Sequence, residues 1–157
     1  MSQSLLSDSA PAKAAIDSEL ETILTSFDSS YAWNYASVKE GLRDLYEKAK
    51  RDQWNSTTQL AWDTPVEPES DILPSQLNPL AGYAPFEKLN AKERARLQHA
   101  QIALQLSQFL HGEQGALFAA CEVTEAVSWM DGKLYGSTQV VDEGRHVEVF
   151  YRYLNEK

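Results

Sequence analysis

The feature that most constrains the fold is the continuous helical pattern from residue 90 to residue 157. Asn90 followed by Glu93 resembles a capping box and predicts the start of a helix. That helix can run to about residue 127, a length of about 55 Å at 1.5 Å per residue. The stretch from Ser128 to Asp131 is typical of a tight connection between helices. Either Ser128 or Asp131 can cap the N-terminus of a last helix, which covers about 131–155.

The first part of the chain predicts further helices. Residues 1–10 are Ser-rich, and residues 11–26 have the pattern of a short helix. Ser29 or Ser30 can cap another helix that runs to about Trp54. The apolar residues at helical spacing in that helix are Val38, Leu42, Leu45, Tyr46 and Ala49. Since no segment reads convincingly as a strand, the sequence predicts an all-α fold.

Residues 55–89 have a different character, because prolines recur along them and break regular elements. These prolines are Pro65, Pro68, Pro74, Pro79 and Pro85. Long segments of this kind are uncommon in compact domains and often wrap a core or serve a function. We expect an irregular segment that wraps the helices and covers an entrance, anchored by Leu60, Trp62, Ile72, Leu77 and Tyr83.

Composition excludes several classes of protein. The 157 residues fit one domain, and the formal net charge of -9 argues against a nucleic-acid binder or a protein that docks on an anionic membrane. Cys121 is the one cysteine, so no internal disulfide can form. The sequence has neither the pattern of a signal peptide at its start nor an apolar run long enough to span a membrane. These features together favour a cytoplasmic protein.

The run from Asp142 to His146 contains the motif Glu-x-x-His. Positions i and i+3 share one face of a helix, so Glu143 and His146 can bind one metal ion together. Glu113 lies in the middle of an apolar stripe on the preceding helix, where a carboxylate is costly to bury unless it is paired or binds metal. The residues of this stripe lie within about 40° of Glu113 around the helix axis and are Ile102, Leu106, Phe109, Leu117, Ala120 and Thr124.

The predicted turn supports the same set of residues. Residue 128 lies midway between Glu113 and Glu143, so two antiparallel helices joined there bring both carboxylates to one level. The sequence therefore predicts a metal site made of Glu113, Glu143 and His146. Because Glu-x-x-His is common by chance, a buried polar pair of Glu113 and His146 with Arg145 is the alternative.

The remaining candidates favour structural roles. We place His99 on the polar side of the first half of the long helix and His111 about 160° from Glu113 around the helix axis. Cys121 is interpreted as a small core or flank residue. Trp129 and Tyr135, near the predicted turn, are most simply packing residues, with a pocket lining or a radical path as the alternative.

The segments Gly112–Leu117 and Gln139–Phe150 together resemble the first half of a ferritin-like dimetal-carboxylate protein. This group includes bacterial multicomponent monooxygenase hydroxylases, the ribonucleotide reductase small subunit and arylamine N-oxygenases. The resemblance covers residues 90–157 and implies a ferritin-like helical bundle. Gly144 departs from the Ala, Ile or Leu often found at its position, which costs helix stability and opens local space.

The resemblance also implies a role for each site residue. Glu113 would be a carboxylate ligand of the first metal ion, Glu143 would bridge both ions, and His146 would bind the first ion. Asp142 and Arg145 would not bind the metal themselves but would orient the ligand residues through hydrogen bonds. The complete set of four carboxylates and two imidazoles suits two ions of iron, or manganese or a mixed pair. The implied activity is oxidation or oxygenation of a small organic molecule with O₂.

The ligand set is incomplete in this sequence, which contains one Glu-x-x-His motif where the family needs two. We expect the second half from sequence beyond Lys157 or from a second copy in a homodimer, because an isolated hairpin would expose its apolar stripe. The alternatives are a non-catalytic helical interaction protein of the same fold and an iron-handling ferritin-like dimer.

Overall fold

The computed structural model describes residues 28–157, and the predicted helix at 11–26 lies outside the described residues. Within 28–157 the chain forms helices and no strand, so the all-α prediction is confirmed. The helices are α1 (Glu40–Asp52), α2 (Ser56–Gln59), α3 (Ala84–Glu87), α4 (Ala91–Ala126) and α5 (Met130–Glu156), with a 3-10 turn at Ser75–Leu77. The two long helices, α4 and α5, form an antiparallel hairpin, and α1 and α2 pack against α5.

The start of α4 is the predicted capping box. The Asn90 side chain accepts a hydrogen bond from the backbone N–H of Glu93 at 3.1 Å, and the Glu93 carboxylate accepts one from the backbone N–H of Asn90 at 2.9 Å. Both groups would otherwise be unpaired at a helix end, so the pair determines where the helix begins. From there α4 continues for 36 residues without a break.

The connection between α4 and α5 lies at 127–129, one to two residues earlier than the predicted 128–131, and its capping was predicted wrongly. Trp129 occupies the position before α5 and offers no side-chain cap, so neither Ser128 nor Asp131 caps this helix. Lys133 instead donates to the carbonyl oxygens of Thr124 and Glu125 at 3.1 and 2.8 Å. A cation at the carboxyl end of α4 satisfies carbonyl groups that lack helical partners and so stabilises the turn.

Asp131 is fully buried inside α5 and joins α1 to the hairpin. One carboxylate oxygen accepts the backbone N–H groups of Val38 and Lys39 at 2.8 and 2.9 Å, and the other accepts Arg43 Nε at 2.8 Å. Burial alone would raise the pKa of the Asp131 carboxyl. The backbone N–H groups of Lys39 and Val38, together with the Arg43 guanidinium, outweigh burial and hold that pKa below its ordinary value.

The predicted helix from Ser29 or Ser30 to about Trp54 begins much later, at Glu40. The Ser30 backbone N–H donates to the Glu125 carbonyl oxygen at 3.0 Å, at the end of α4. The backbone N–H of Val38 likewise donates to the Asp131 carboxylate, so these backbone groups bind the hairpin and not a carbonyl oxygen one helical turn earlier. A tertiary contact has therefore replaced the local helix that the spacing of apolar residues indicated.

The proline-rich segment is less irregular than predicted, since α2, α3 and the 3-10 turn lie within it. Pro85 is accommodated in the first turn of α3, where its missing N–H is not needed. Among the predicted anchors, Trp62 and Ile72 are half-buried. The prediction is wrong for Leu60, Leu77 and Tyr83, which are exposed, while Phe86 is the buried anchor that the sequence did not indicate.

Gln98 and Arg152 hold the proline-rich segment against the long helices. The buried Gln98 side chain accepts the backbone N–H groups of Ile72 and Leu73 at 3.3 and 3.4 Å. The Arg152 guanidinium lies 4.2 Å from the centroid of the Trp62 ring. Polar and cation–π contacts thus position the segment where apolar anchors were expected.

The described residues enclose little apolar core. Phe86 and Ala95 are the apolar side chains buried within 28–157. Large apolar residues of the hairpin are exposed on both helices, among them Leu104, Phe109, Phe118, Val123, Val141 and Tyr151. No helix among residues 28–157 is both long and apolar enough to cross a membrane.

Candidate metal centre

Glu113 from α4 and Glu143 and His146 from α5 converge at the middle of the hairpin. Nδ1 of His146 lies 3.2 Å from a carboxylate oxygen of Glu113 and 3.1 Å from one of Glu143. One ligand atom from each residue falls within 4.8 Å of the others. The side chains are 26%, 20% and 39% exposed in the order Glu113, Glu143, His146, so the cluster is open on one side.

Two features of the sequence bring these residues together. The i,i+3 spacing places Glu143 and His146 one turn apart on the same face of α5. The turn at 127–129 then sets Glu113 level with Glu143, because residue 128 lies midway between them. The packing of α4 against α5 therefore turns a four-residue motif into a three-residue cluster.

The distances are compatible with a shared metal ion. Two donors bound at right angles to one ion, with bonds of about 2.1 Å, lie about 3.0 Å apart. The separations between the histidine nitrogen and the two carboxylate oxygens are close to this value. Imidazole nitrogen and carboxylate oxygen are together a donor set that suits iron and manganese. The residues that are present therefore fit a divalent ion at this position.

Arg145 takes no part in the cluster, so of the polar group that the sequence left open only the contact between Glu113 and His146 is present. Its guanidinium pairs with Asp142 and donates to the Trp54 carbonyl oxygen at 2.9 Å. The guanidinium also lies 5.2 Å from the centroid of the Trp54 ring. Asp142 and Arg145 therefore connect the ligand-bearing helix to the end of α1. No pattern in the sequence indicated the contact between Trp54 and Arg145.

The other candidate residues lie outside the cluster. His99 Nε2 is 3.0 Å from the carbonyl oxygen of Ser70, so His99 contacts the proline-rich segment. His111 and Cys121 are exposed, and of the two roles considered for Cys121 the flank position is correct. Trp129 is 48% exposed, with the Lys39 ammonium 4.8 Å from its ring centroid.

A groove of about 400 Å³ begins at Glu143 and follows the hairpin toward the turn. Small side chains from both helices line it, and Tyr135 and Leu42 border it. The small residues include Ala116, Ala120, Gly132 and Gly136. These small residues recur at i,i+4 on each helix. This spacing is visible in the sequence and indicates a face where the two helices leave room between them. The groove gives the Glu143 carboxylate an apolar neighbourhood.

Comparisons with known proteins identify no relative, because no protein-family model, curated protein or solved structure matches this chain.

Proposed function

We propose that Glu113, Glu143 and His146 bind a divalent iron or manganese ion and form half of a dimetal-carboxylate centre. The observation that supports this proposal is the convergence of two carboxylates and one imidazole from two helices, with the histidine nitrogen about equally far from both carboxylates. The charge of Glu113 in its apolar stripe is costly where the side chain is shielded from water, and a bound cation compensates that cost. A ferritin-like bundle is the architecture that such a centre requires.

In this proposal each residue has a distinct role. Glu113 is a terminal ligand on α4, and His146 binds the same ion through Nδ1. Glu143 belongs to the cluster and also lines the groove, which suits a carboxylate that bridges two ions. The Arg145 guanidinium neutralises Asp142 and anchors α5 to α1, so the ligand-bearing turn is held in orientation.

We further propose that the protein is an oxidase or oxygenase of a small organic molecule. A pair of reduced iron ions, when bound, supplies the electrons for reaction with O₂. The groove beside Glu143 has mostly apolar walls and offers space for an apolar substrate close to the ligands. The alternative is a helical interaction protein in which His146 is only hydrogen-bonded to the two glutamates.

Anaerobic loading with Fe(II), followed by metal analysis of the desalted protein, tests the proposal. Wild type should retain iron, whereas Glu113→Gln and His146→Ala should each weaken binding by at least about 10-fold, the lower range for losing even a supporting residue of a metal site. His111→Ala is the matched control, because His111 lies on α4 near Glu113 but outside the cluster. A wild-type protein that retains no iron, with its helical content intact, would contradict the proposal and favour the interaction protein.

A further inference from the structure

We propose that the metal ions join two copies of this chain about a two-fold axis, and that each copy supplies Glu113, Glu143 and His146 to one shared centre. This inference rests on the proposed function and names the partner that completes the site. Each copy offers two carboxylates and one imidazole, so the pair offers four carboxylates and two imidazoles.

The charges of such a pair balance. Four ionised carboxylates carry a charge of -4, which two divalent cations neutralise. Without the cations the same four carboxylates would face one another across the axis and repel. The chain as a whole is also acidic, with a formal net charge of -9, so two copies repel further. Association should therefore depend on the metal.

The position of Glu143 suits a two-fold axis. The helix α5 runs from Met130 to Glu156, and Glu143 is its central residue. An axis beside Glu143 would therefore align α5 with its symmetric copy over the full 27 residues, a length of about 40 Å.

The surface available is large enough for a stable dimer. Two helices about 40 Å long and about 10 Å wide present roughly 800 Å² in each copy. Two such faces together reach about 1,600 Å², the size of a standard specific interface. The estimate covers only the part of α4 that lies opposite α5.

Apolar residues on the ligand face are open to such a partner. Phe109 lies one turn before Glu113, and Phe150 lies one turn after His146. Their ring centroids are 6.0 Å apart, and Phe109 is 47% exposed. Val123, on the groove beside Glu143, is 56% exposed. A second hairpin laid over the cluster would cover these side chains together with the open side of His146.

Sedimentation velocity of the full chain, first in chelator and then with Mn(II) added, tests the inference. We expect the 17.6 kDa chain to be monomeric in chelator and to double in mass as one Mn(II) binds per chain. Glu143→Gln and His146→Ala should stay monomeric at the same Mn(II) concentration, with circular dichroism confirming that they remain helical. His111→Ala should dimerise as wild type does.

The other outcomes overturn the inference in distinguishable ways. If the chain binds Mn(II) but stays monomeric, the proposed metal site stands, and the inference that a second copy of this chain completes the site is wrong. A dimer that forms in chelator, and persists in both ligand variants, would show that the copies meet through a different surface. A helical protein that binds no Mn(II) and stays monomeric would contradict both the inference and the proposed site.

Discussion

Asp131 connects α1 to the helix hairpin through one buried carboxylate. Its oxygens accept hydrogen bonds from Val38, Lys39 and Arg43, which all belong to α1 or the residues just before it. Removing the charge or the oxygens of a buried carboxylate with these partners strongly destabilises the folded protein. The side chain therefore determines how α1 sits on α5, and with it the end of the groove at Leu42.

The lowered pKa of Asp131 predicts acid-sensitive stability. Because the pKa of the folded state lies below the ordinary value of about 3.9, the stabilisation is fully present above about pH 4. It is lost as the pH falls through the lower pKa of the folded protein. Asp131→Asn should lower the free energy of unfolding at pH 7 and should abolish this part of the acid dependence. Urea unfolding followed by circular dichroism, across a series of pH values, measures both effects.

Asp63 provides the control for this prediction, since it is exposed in the proline-rich segment. Asp63→Asn should leave both the free energy of unfolding and its pH dependence close to those of wild type. Equal behaviour of the two variants at neutral pH would contradict the role assigned to Asp131.

At the residue scale, the sequence predicted the convergence of Glu113, Glu143 and His146, but it did not predict the contacts around them. Glu113 could be identified because a carboxylate within an apolar stripe conflicts with its surroundings. The partners of Asp131, Arg145 and Trp54 could not, because they lie on segments far apart in sequence and no periodicity relates them. Asp131 was accordingly assigned to a local cap when its partners are distant.

At the scale of helices, the close approach of α4 and α5 depends on Gly136. A β-carbon added at Gly136 would lie 2.4 Å from Thr124 Oγ1 and 3.3 Å from the Thr124 backbone, which cannot move aside easily. Gly144, further along the same helix, has nothing within 4 Å of the same position. Gly136 is therefore tightly packed and Gly144 is not, although both weaken the helix because glycine has no side chain.

Alanine substitutions at the two glycines should have opposite effects. Gly136→Ala should lower the free energy of unfolding by about 1–3 kcal/mol, because the added methyl group overpacks the hairpin. Gly144→Ala should raise it by about 1 kcal/mol, because alanine favours the helix more than glycine does. Chemical denaturation of both variants measures the difference. Stabilisation by Gly136→Ala would show that α4 and α5 are not packed as closely as described.

The helices were predictable where local signals and packing agree. The capping box at Asn90 and the turn at 127–129 follow from residues adjacent in sequence, so α4 and α5 were located to within a few residues. The start of α1 was not, because the N–H groups of Ser30 and Val38 bind α4 and α5. Those bonds depend on the assembled fold and leave no trace in local spacing.

At the scale of the whole molecule, the hairpin exposes apolar residues beside the partly exposed cluster of Glu113, Glu143 and His146. The described residues bury few apolar side chains, and His146 remains 39% exposed. Both observations have one explanation if a second pair of helices covers the hairpin and contributes ligands. The all-α class followed from the sequence, whereas the surface left uncovered could be recognised only from the packing.

The central claim is that His146 binds a metal ion together with Glu113 and Glu143. Electron spin echo spectroscopy of the protein loaded with substoichiometric Mn(II), so that isolated ions give the signal, tests it directly, because a bound imidazole couples its nitrogen to the manganese spin. We predict a nitrogen coupling from one imidazole per ion in wild type and in His99→Ala and His111→Ala, and its loss in His146→Ala. A wild-type protein without this coupling, or a His146→Ala variant that keeps it, would contradict the assignment.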